Sequence, residues 1–168
     1  MANIIEQINQ IGVEVEQSLI INDTNQFFKH TILLYSLAEN LLKYLVATKL
    51  CWDESGKQVD FMNNNKEYTV DFGEIRKRAK EFTFGATIDK AKSLNLISEN
   101  FKNELHTQRK ERNDLIHELY LYQQRNNNEL MRAKLLRIKA IVVDLKLIFE
   151  SLIFDEIGVD IPEVLQTL

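Results

Sequence analysis

Apolar residues recur every three or four positions through most of the chain, and this spacing limits the fold more narrowly than any other feature. Near the start, Ile4, Ile8, Ile11, Val15 and Leu19 form one such series, which matches one face of an α-helix. The 168 residues include one proline and five glycines, far fewer turn residues than a β-sandwich of this size requires. Together these features predict an all-α fold, a bundle of four to five helices.

The length suits a single domain that buries a sizeable core. We predict one helical domain over 1–168, with an N-terminal helix at 3–21, a core from about 24 to 157 and a C-terminal tail at 158–168. The periodicity is lost between Cys51 and Lys66, a stretch that includes a glycine and an asparagine triplet. We expect a long functional or mobile loop in this stretch.

Capping residues and breaks place the remaining helices. The stretch 22–24 supplies capping oxygens for a second helix. We expect Thr83 and Ser98 to be N-caps of later helices, and we expect a helix to end at Asn95. The other predicted helices are Thr24–Leu50, Asp71–Phe82, Glu99–Gln124 and Glu129–Ile157.

Several classes of protein are excluded or disfavoured by what the sequence lacks. Cys51 is the only cysteine, so no internal disulfide and no multi-cysteine zinc site is expected. His30, His106 and His117 do not have the spacing of zinc ligands, and there is no glycine-rich phosphate loop. No apolar run reaches the roughly 18 residues of a membrane span, and the start has no signal-peptide pattern. We therefore expect a cytoplasmic protein without a metal or cofactor.

Charge is distributed unevenly along the chain. The net charge is −4, yet the range Arg76–Arg112 contains ten basic and five acidic residues. Such a basic zone can attract a polyanion, because the local field sets the attraction. The alternative is a solvated helix face without a partner.

One predicted helix has polar side chains on its apolar face. Arg112, with Gln108 one turn before it, interrupts a row of leucines between Phe101 and Tyr122. An unpaired buried guanidinium is costly, so Arg112 must meet an anion, a partner chain or a water-filled cleft. Asn113 and His117 are four residues apart, so they lie together on a second face.

Arg112 and Asn113 are adjacent, and three residues separate them from His117. This arrangement resembles the motif of the HEPN superfamily. The stretch Ala38–Lys49, AENLLKYLVATK, is similar to the long helix of that family, with an acidic residue ahead of apolar and basic positions. The stretch Phe82–Lys92, FTFGATIDKAK, is similar to the helix start often found before its motif helix.

The resemblance implies a HEPN-like bundle, a homodimer through the motif helix and a metal-independent endoribonuclease of a toxin–antitoxin or phage-defence system. In such an enzyme His117 acts as general base or acid, Arg112 stabilises charge on the phosphate, and Asn113 orients the phosphate or His117. The substrate is RNA, cleaved by its own 2′-hydroxyl to a 2′,3′-cyclic phosphate and a 5′-hydroxyl. The residues expected to bind its backbone are Arg76, Lys77, Arg78, Lys80, Arg109 and Lys110.

Two supporting residues and one alternative function complete the predictions. In one HEPN subgroup a nucleotidyltransferase partner modifies a tyrosine two residues after the histidine. Here Tyr120 is three residues after His117 and is a candidate target, and His106 is a candidate supporting residue. A cognate antitoxin, either a nucleotidyltransferase or a small protein, is an implied partner. The alternative function is a non-catalytic adaptor that binds a nucleotide or a protein.

Overall fold

The computed structural model describes residues 2–64, 69–117 and 128–157, and all their regular structure is helical. The predicted all-α fold is confirmed, with six helices in these ranges in place of four or five. They are α1 (Ala2–Ile21), α2 (Thr24–Asn63), α3 (Phe72–Glu81), α4 (Phe84–Ser93), α5 (Glu99–His117) and α6 (Asn128–Ile157).

The helices belong to two compact units, and α2 and α5 each contribute to both. The first unit contains 1–41 and 104–168, and the second contains 42–103. In the first unit, buried side chains come from α1, α2, α5 and α6, and include Val15, Phe27, Leu41, Leu105, Leu115, Leu135 and Phe149. In the second unit they include Leu45, Val46, Phe84, Ile88 and Ala91.

The predicted loop over Cys51–Lys66 is wrong for the part that the structure describes, because α2 continues as a helix to Asn63. Contacts with helical spacing stabilise this part. Lys49 and Asp53 form an ion pair of 3.0 Å, and Ser55 Oγ donates to the carbonyl of Cys51 over 2.9 Å. The six residues between Trp52 and Val59 are polar or glycine, so the sequence shows no apolar period there and indicates a loop.

The predicted caps are confirmed. Thr83 and Ser98 each accept a hydrogen bond from the backbone N–H three residues ahead, at 3.3 and 3.1 Å, and Asp23 accepts from the N–H of Asn25 at 2.7 Å. Asp71, predicted as the first residue of its helix, is instead the N-cap of α3 and accepts from the N–H of Glu74 at 3.0 Å. These bonds satisfy N–H groups that have no partner within the first helical turn. Asn22 and Asn95 follow α1 and α4 with φ of 57° and 56°, a conformation that asparagine tolerates better than most residues.

Ion pairs attach α5 and α1 to α6 within the first unit. Glu111 of α5 accepts from Lys134 and from Arg137 of α6, each over 3.4 Å. Glu16 of α1 pairs with Lys139 on α6. The contacts of Glu111 join α5, the helix that carries the predicted motif, to α6.

The described part of α5 ends at His117, whereas the predicted helix extends to Gln124. Tyr120, the candidate modification target, lies outside the described residues. The same holds for the predicted tail at 158–168 and for Leu119 and Tyr122, at the end of the apolar row predicted for this helix.

Candidate functional site

Arg112 lies on the inner side of α5 and forms an ion pair with Glu39 of α2. Its Nη1 donates to Glu39 Oε2 over 2.8 Å, and the two side chains are 29% and 18% exposed. Attraction between charges is stronger at such a partly shielded position than in open water. Of the three environments expected for Arg112, the structure shows the first, an anion, and it belongs to the same chain.

Gln108 lies one turn before Arg112 and also has its partner inside the chain. Tyr35 Oη donates to Gln108 Oε1 over 3.2 Å, and both side chains are fully buried. In the described part of the chain Gln108 Nε2 has no hydrogen-bond partner, so this amide is only half satisfied.

Gln108 and Arg112, the two polar residues in the apolar row of α5, therefore each have a partner within the chain. The homodimer that the resemblance implies thus gains no support from the burial of Arg112 and Gln108, because Glu39 and Tyr35 already occupy the positions that a partner chain would fill.

Asn113 and His117 lie on the outward face of α5, and both are exposed. At about 100° per residue they are separated by about 40° around the helix, whereas Arg112 and His117 are separated by about 140°. Ile116, 46% exposed, lies about 60° from Asn113 and about 40° from Arg112 around the helix. The structure thus brings Asn113 and His117 together and places Arg112 at the inner edge. Among the described residues, no hydrogen bond joins the three side chains.

The other predicted residues of α5 have different environments. His106 is half-buried and already has an interaction within the chain. Arg109 is half-buried, and its buried Nε has no hydrogen-bond partner in the described ranges. Lys110 is exposed. Of the two predicted RNA-binding residues on this helix, Lys110 is thus the more accessible.

The basic cluster on α3 belongs to the second unit. Arg76, Lys77, Arg78 and Lys80 are all exposed, and Ala79 between them is buried. Arg78 pairs with Glu74 one turn earlier, at 2.5 Å. Three of the four cations thus have no ion-pair partner within the described residues. The cluster has the accessibility that phosphate contacts require, and the same accessibility is found on a solvated helix face.

The ion pair between Arg112 and Glu39 was not predicted. The sequence signal for it is Glu39 itself, an acidic residue within the largely apolar stretch Ala38–Lys49. Its neighbours Ala38, Leu41 and Leu42 are fully buried. A carboxylate among such neighbours needs a cation, just as Arg112 needs an anion.

A second buried polar cluster also went unpredicted. His30 Nδ1 lies 2.6 Å from Ser18 Oγ, and its Nε2 lies 3.3 Å from Glu14 Oε2. Ser18 and His30 are both buried, so a substrate has no access to them. The cluster holds α1 against α2, and it gives His30 a structural role.

Comparison of the chain with protein-family models, curated proteins and solved structures finds no match. Within the described residues, no group of three or more His, Cys, Asp or Glu side chains is placed to hold a metal ion. None of the described helices has the length and apolar character needed to cross a membrane.

Proposed function

We propose that the chain is a metal-independent endoribonuclease of the HEPN type. The observation that carries the proposal is the geometry of α5, which presents Asn113 and His117 outward one turn apart. Arg112, the third residue of the motif, is fixed at the inner edge by its 2.8 Å bond to Glu39. An imidazole and an amide thus share an accessible surface, and the guanidinium of Arg112 lies at its inner edge.

The chemistry requires no bound nucleophile, because the 2′-hydroxyl of RNA attacks the adjacent phosphorus. His117 accepts the hydroxyl proton or donates one to the leaving 5′-oxygen. A guanidinium has five N–H donors, so Arg112 keeps donors for a phosphate after one is used by Glu39. Asn113 holds the phosphate or His117 in place. The products are a 2′,3′-cyclic phosphate and a 5′-hydroxyl.

We place the predicted homodimer contact on the outward face of α5. Its support is now Ile116, an exposed apolar side chain about 60° from Asn113 around the helix, rather than the burial of Arg112. Two such faces in contact form one cleft with two copies of the motif. Ile116→Glu is expected to lower the mass that light scattering measures at roughly tens of micromolar protein, because it removes the α5 contact. A wild-type chain that is monomeric there contradicts this interface.

RNA binding is assigned to the exposed cations of α3, with Lys110 and Arg109 of α5 as further contacts. Phosphate contacts of this kind are independent of base sequence. A toxin or phage-defence role follows from the same proposal, with a nucleotidyltransferase or small antitoxin as cognate partner. In that setting Tyr120 is the proposed modification target.

The test is incubation of labelled single-stranded and transfer RNA with the protein in EDTA. His117→Ala is expected to lower the rate by about 10²–10⁴. Asp114→Ala is the matched control, because Asp114 is exposed on the same helix and outside the motif, and it should cut at the wild-type rate. A wild-type protein that leaves all these RNAs intact contradicts the proposal, as does an active His117→Ala.

A non-catalytic adaptor is the second candidate, and one observation favours it. The carboxylate of Glu39 neutralises Arg112, which weakens the attraction of that guanidinium for a phosphate. An adaptor binds a nucleotide or a protein through the face of α5 and cleaves no RNA. Saturable binding of labelled RNA or nucleotide without product, lost in Asn113→Ala, would support the adaptor.

A further inference from the structure

The last helix, α6, has two apolar faces, and only one of them is buried. The buried face belongs to the core of the first unit. It is formed by Met131, Leu135, Ile138, Ile141, Val142, Leu145 and Phe149. A helix at the edge of a domain ordinarily has polar residues opposite such a face.

The opposite face of α6 has an exposed row of apolar residues. Ala133, Leu136, Ala140, Val143 and Leu147 are all exposed and follow one another at intervals of three and four. At about 100° per residue they fall within about 80° of each other, on the side away from the core. Single exposed apolar residues are ordinary on a protein surface. A row with this spacing is the pattern of a helix–helix seam.

We propose that this row, the α6 seam, pairs with the α6 seam of a second copy in antiparallel orientation. The two-fold axis passes beside Ala140. In that register Leu147 lies opposite the partner's Ala133, and Leu136 lies opposite the partner's Val143. Large side chains therefore meet small ones at both ends, and the two alanines at the centre allow the helices to approach closely.

Charges beside the α6 seam favour the same register. Arg137 lies opposite the partner's Asp144, and Arg132 lies opposite the partner's Glu150, so the two-fold axis gives four attractive pairs. Asp144 and Arg132 are exposed. Arg137 also contacts Glu111 at 3.4 Å, and the half-buried Glu150 also pairs with Lys146 at 3.6 Å. Charges of this kind determine the relative orientation of two paired helices more than they determine the affinity of the pairing.

A parallel pairing matches less well. It places Ala133 against Ala133 and Leu147 against Leu147, which leaves a gap at one end of the seam and crowding at the other. It also brings Arg132 close to Arg137 of the other helix, and these are like charges. Antiparallel pairing avoids both mismatches.

The proposal does not depend on RNA cleavage. The α6 seam lies on a different helix from Asn113 and His117, so a protein without RNase activity is still expected to pair through it. A dimer through α5 and a dimer through α6 are distinguishable, because Ile116→Glu affects the first and seam substitutions affect the second.

Disulfide trapping tests the register directly. Ala133→Cys and Leu147→Cys proteins, each with Cys51→Ala, are mixed in equal amounts and oxidised. Antiparallel pairing brings the two cysteines within the roughly 4–7 Å between Cα atoms that a disulfide spans. We expect a cross-linked pair containing one chain of each variant, at several times the yield of either variant alone. Asn40→Cys, exposed on α2, is the control and should give little product.

Two results of the trapping experiment overturn the proposal. Cross-linking of each variant with itself but not with the other shows parallel pairing. Yields equal to that of Asn40→Cys show that the α6 seam is not a contact in solution.

Light scattering gives an independent measurement. Leu147→Lys is expected to weaken self-association by on the order of 100-fold, because the lost apolar contact occurs twice in the dimer. The matched control is Val59→Lys, since Val59 is exposed to almost the same extent as Leu147, 57% against 56%. The control should keep the wild-type mass. A Leu147→Lys protein with unchanged helical circular dichroism and unchanged mass contradicts the proposal.

Discussion

Removal of Arg112 is expected to destabilise the folded chain, because it leaves the carboxylate of Glu39 without its cation. Glu39 is only 18% exposed, so bulk water does not fully replace the lost partner. Exposed ion pairs contribute about 0–1 kcal/mol, whereas removal of one partner from a buried pair costs about 3–5 kcal/mol. The partial exposure of both side chains places Arg112→Ala between these limits, at about 1–3 kcal/mol.

A double-mutant cycle isolates the ion pair from the other effects of each substitution. We expect Arg112→Ala and Glu39→Ala each to lower the free energy of unfolding, and the double variant to lose less than the sum. The expected interaction energy is about 1–2 kcal/mol. With a urea dependence of about 2 kcal/mol per molar, Arg112→Ala shifts the midpoint of unfolding by about 0.5–1.5 M.

Arg78→Ala is the matched control for this cycle. Arg78 also pairs with a glutamate, Glu74, at 2.5 Å, but its side chain is 72% exposed. Its loss should cost less than about 0.5 kcal/mol. If the interaction energy between Arg112 and Glu39 is below about 0.3 kcal/mol, the ion pair does not stabilise the fold and the reasoning is refuted.

Three further predictions concern other parts of the chain. Gly56→Ala should raise the free energy of unfolding by about 0.5–1 kcal/mol, since Gly56 is helical and has nothing within 4 Å of an added Cβ; an unchanged midpoint would instead fit the loop interpretation. Alanine at Arg76, Lys77, Arg78 and Lys80 together should flatten the salt dependence of RNA binding, and an identical slope in filter-binding titrations would assign this cluster to a solvated face. Tyr35→Phe should lower the free energy of unfolding by about 1 kcal/mol, because the hydrogen bond to Gln108 is lost, and the double variant Tyr35→Phe with Gln108→Met should lower it by less. Urea unfolding of both variants measures this, and a double variant less stable than Tyr35→Phe would contradict the prediction.

The helices were largely predictable because they depend on local features. The apolar series and the capping oxygens of Asp71, Thr83 and Ser98 act within a few residues along the chain. The end of α2 was not predictable in the same way. The six residues between Trp52 and Val59 are polar or glycine, so they show no apolar period, although contacts such as that between Lys49 and Asp53 stabilise the helix there.

The candidate site was predictable on one face of α5 and not on the other. Helical spacing alone places Asn113 and His117 together, since four residues make about one turn. The partners of Arg112 and Gln108 come from α2, about 73 residues earlier along the chain. The spacing of residues within α5 cannot predict contacts with residues so distant along the chain. Each member of the ion pair did show its need for a partner, since each is a charge in an apolar stretch.

The chemistry of strand cleavage is the central claim, and one substrate tests it most directly. A labelled RNA oligonucleotide is prepared with a single 2′-deoxy nucleotide at a position that the protein cuts, and is incubated with wild-type protein in EDTA. The proposal predicts no cleavage at that bond, unchanged cleavage elsewhere, and a 2′,3′-cyclic phosphate on the products of unmodified RNA. Cleavage at the 2′-deoxy position, or no cleavage of either oligonucleotide, would contradict attack by the 2′-hydroxyl with His117 as the proton-transfer group.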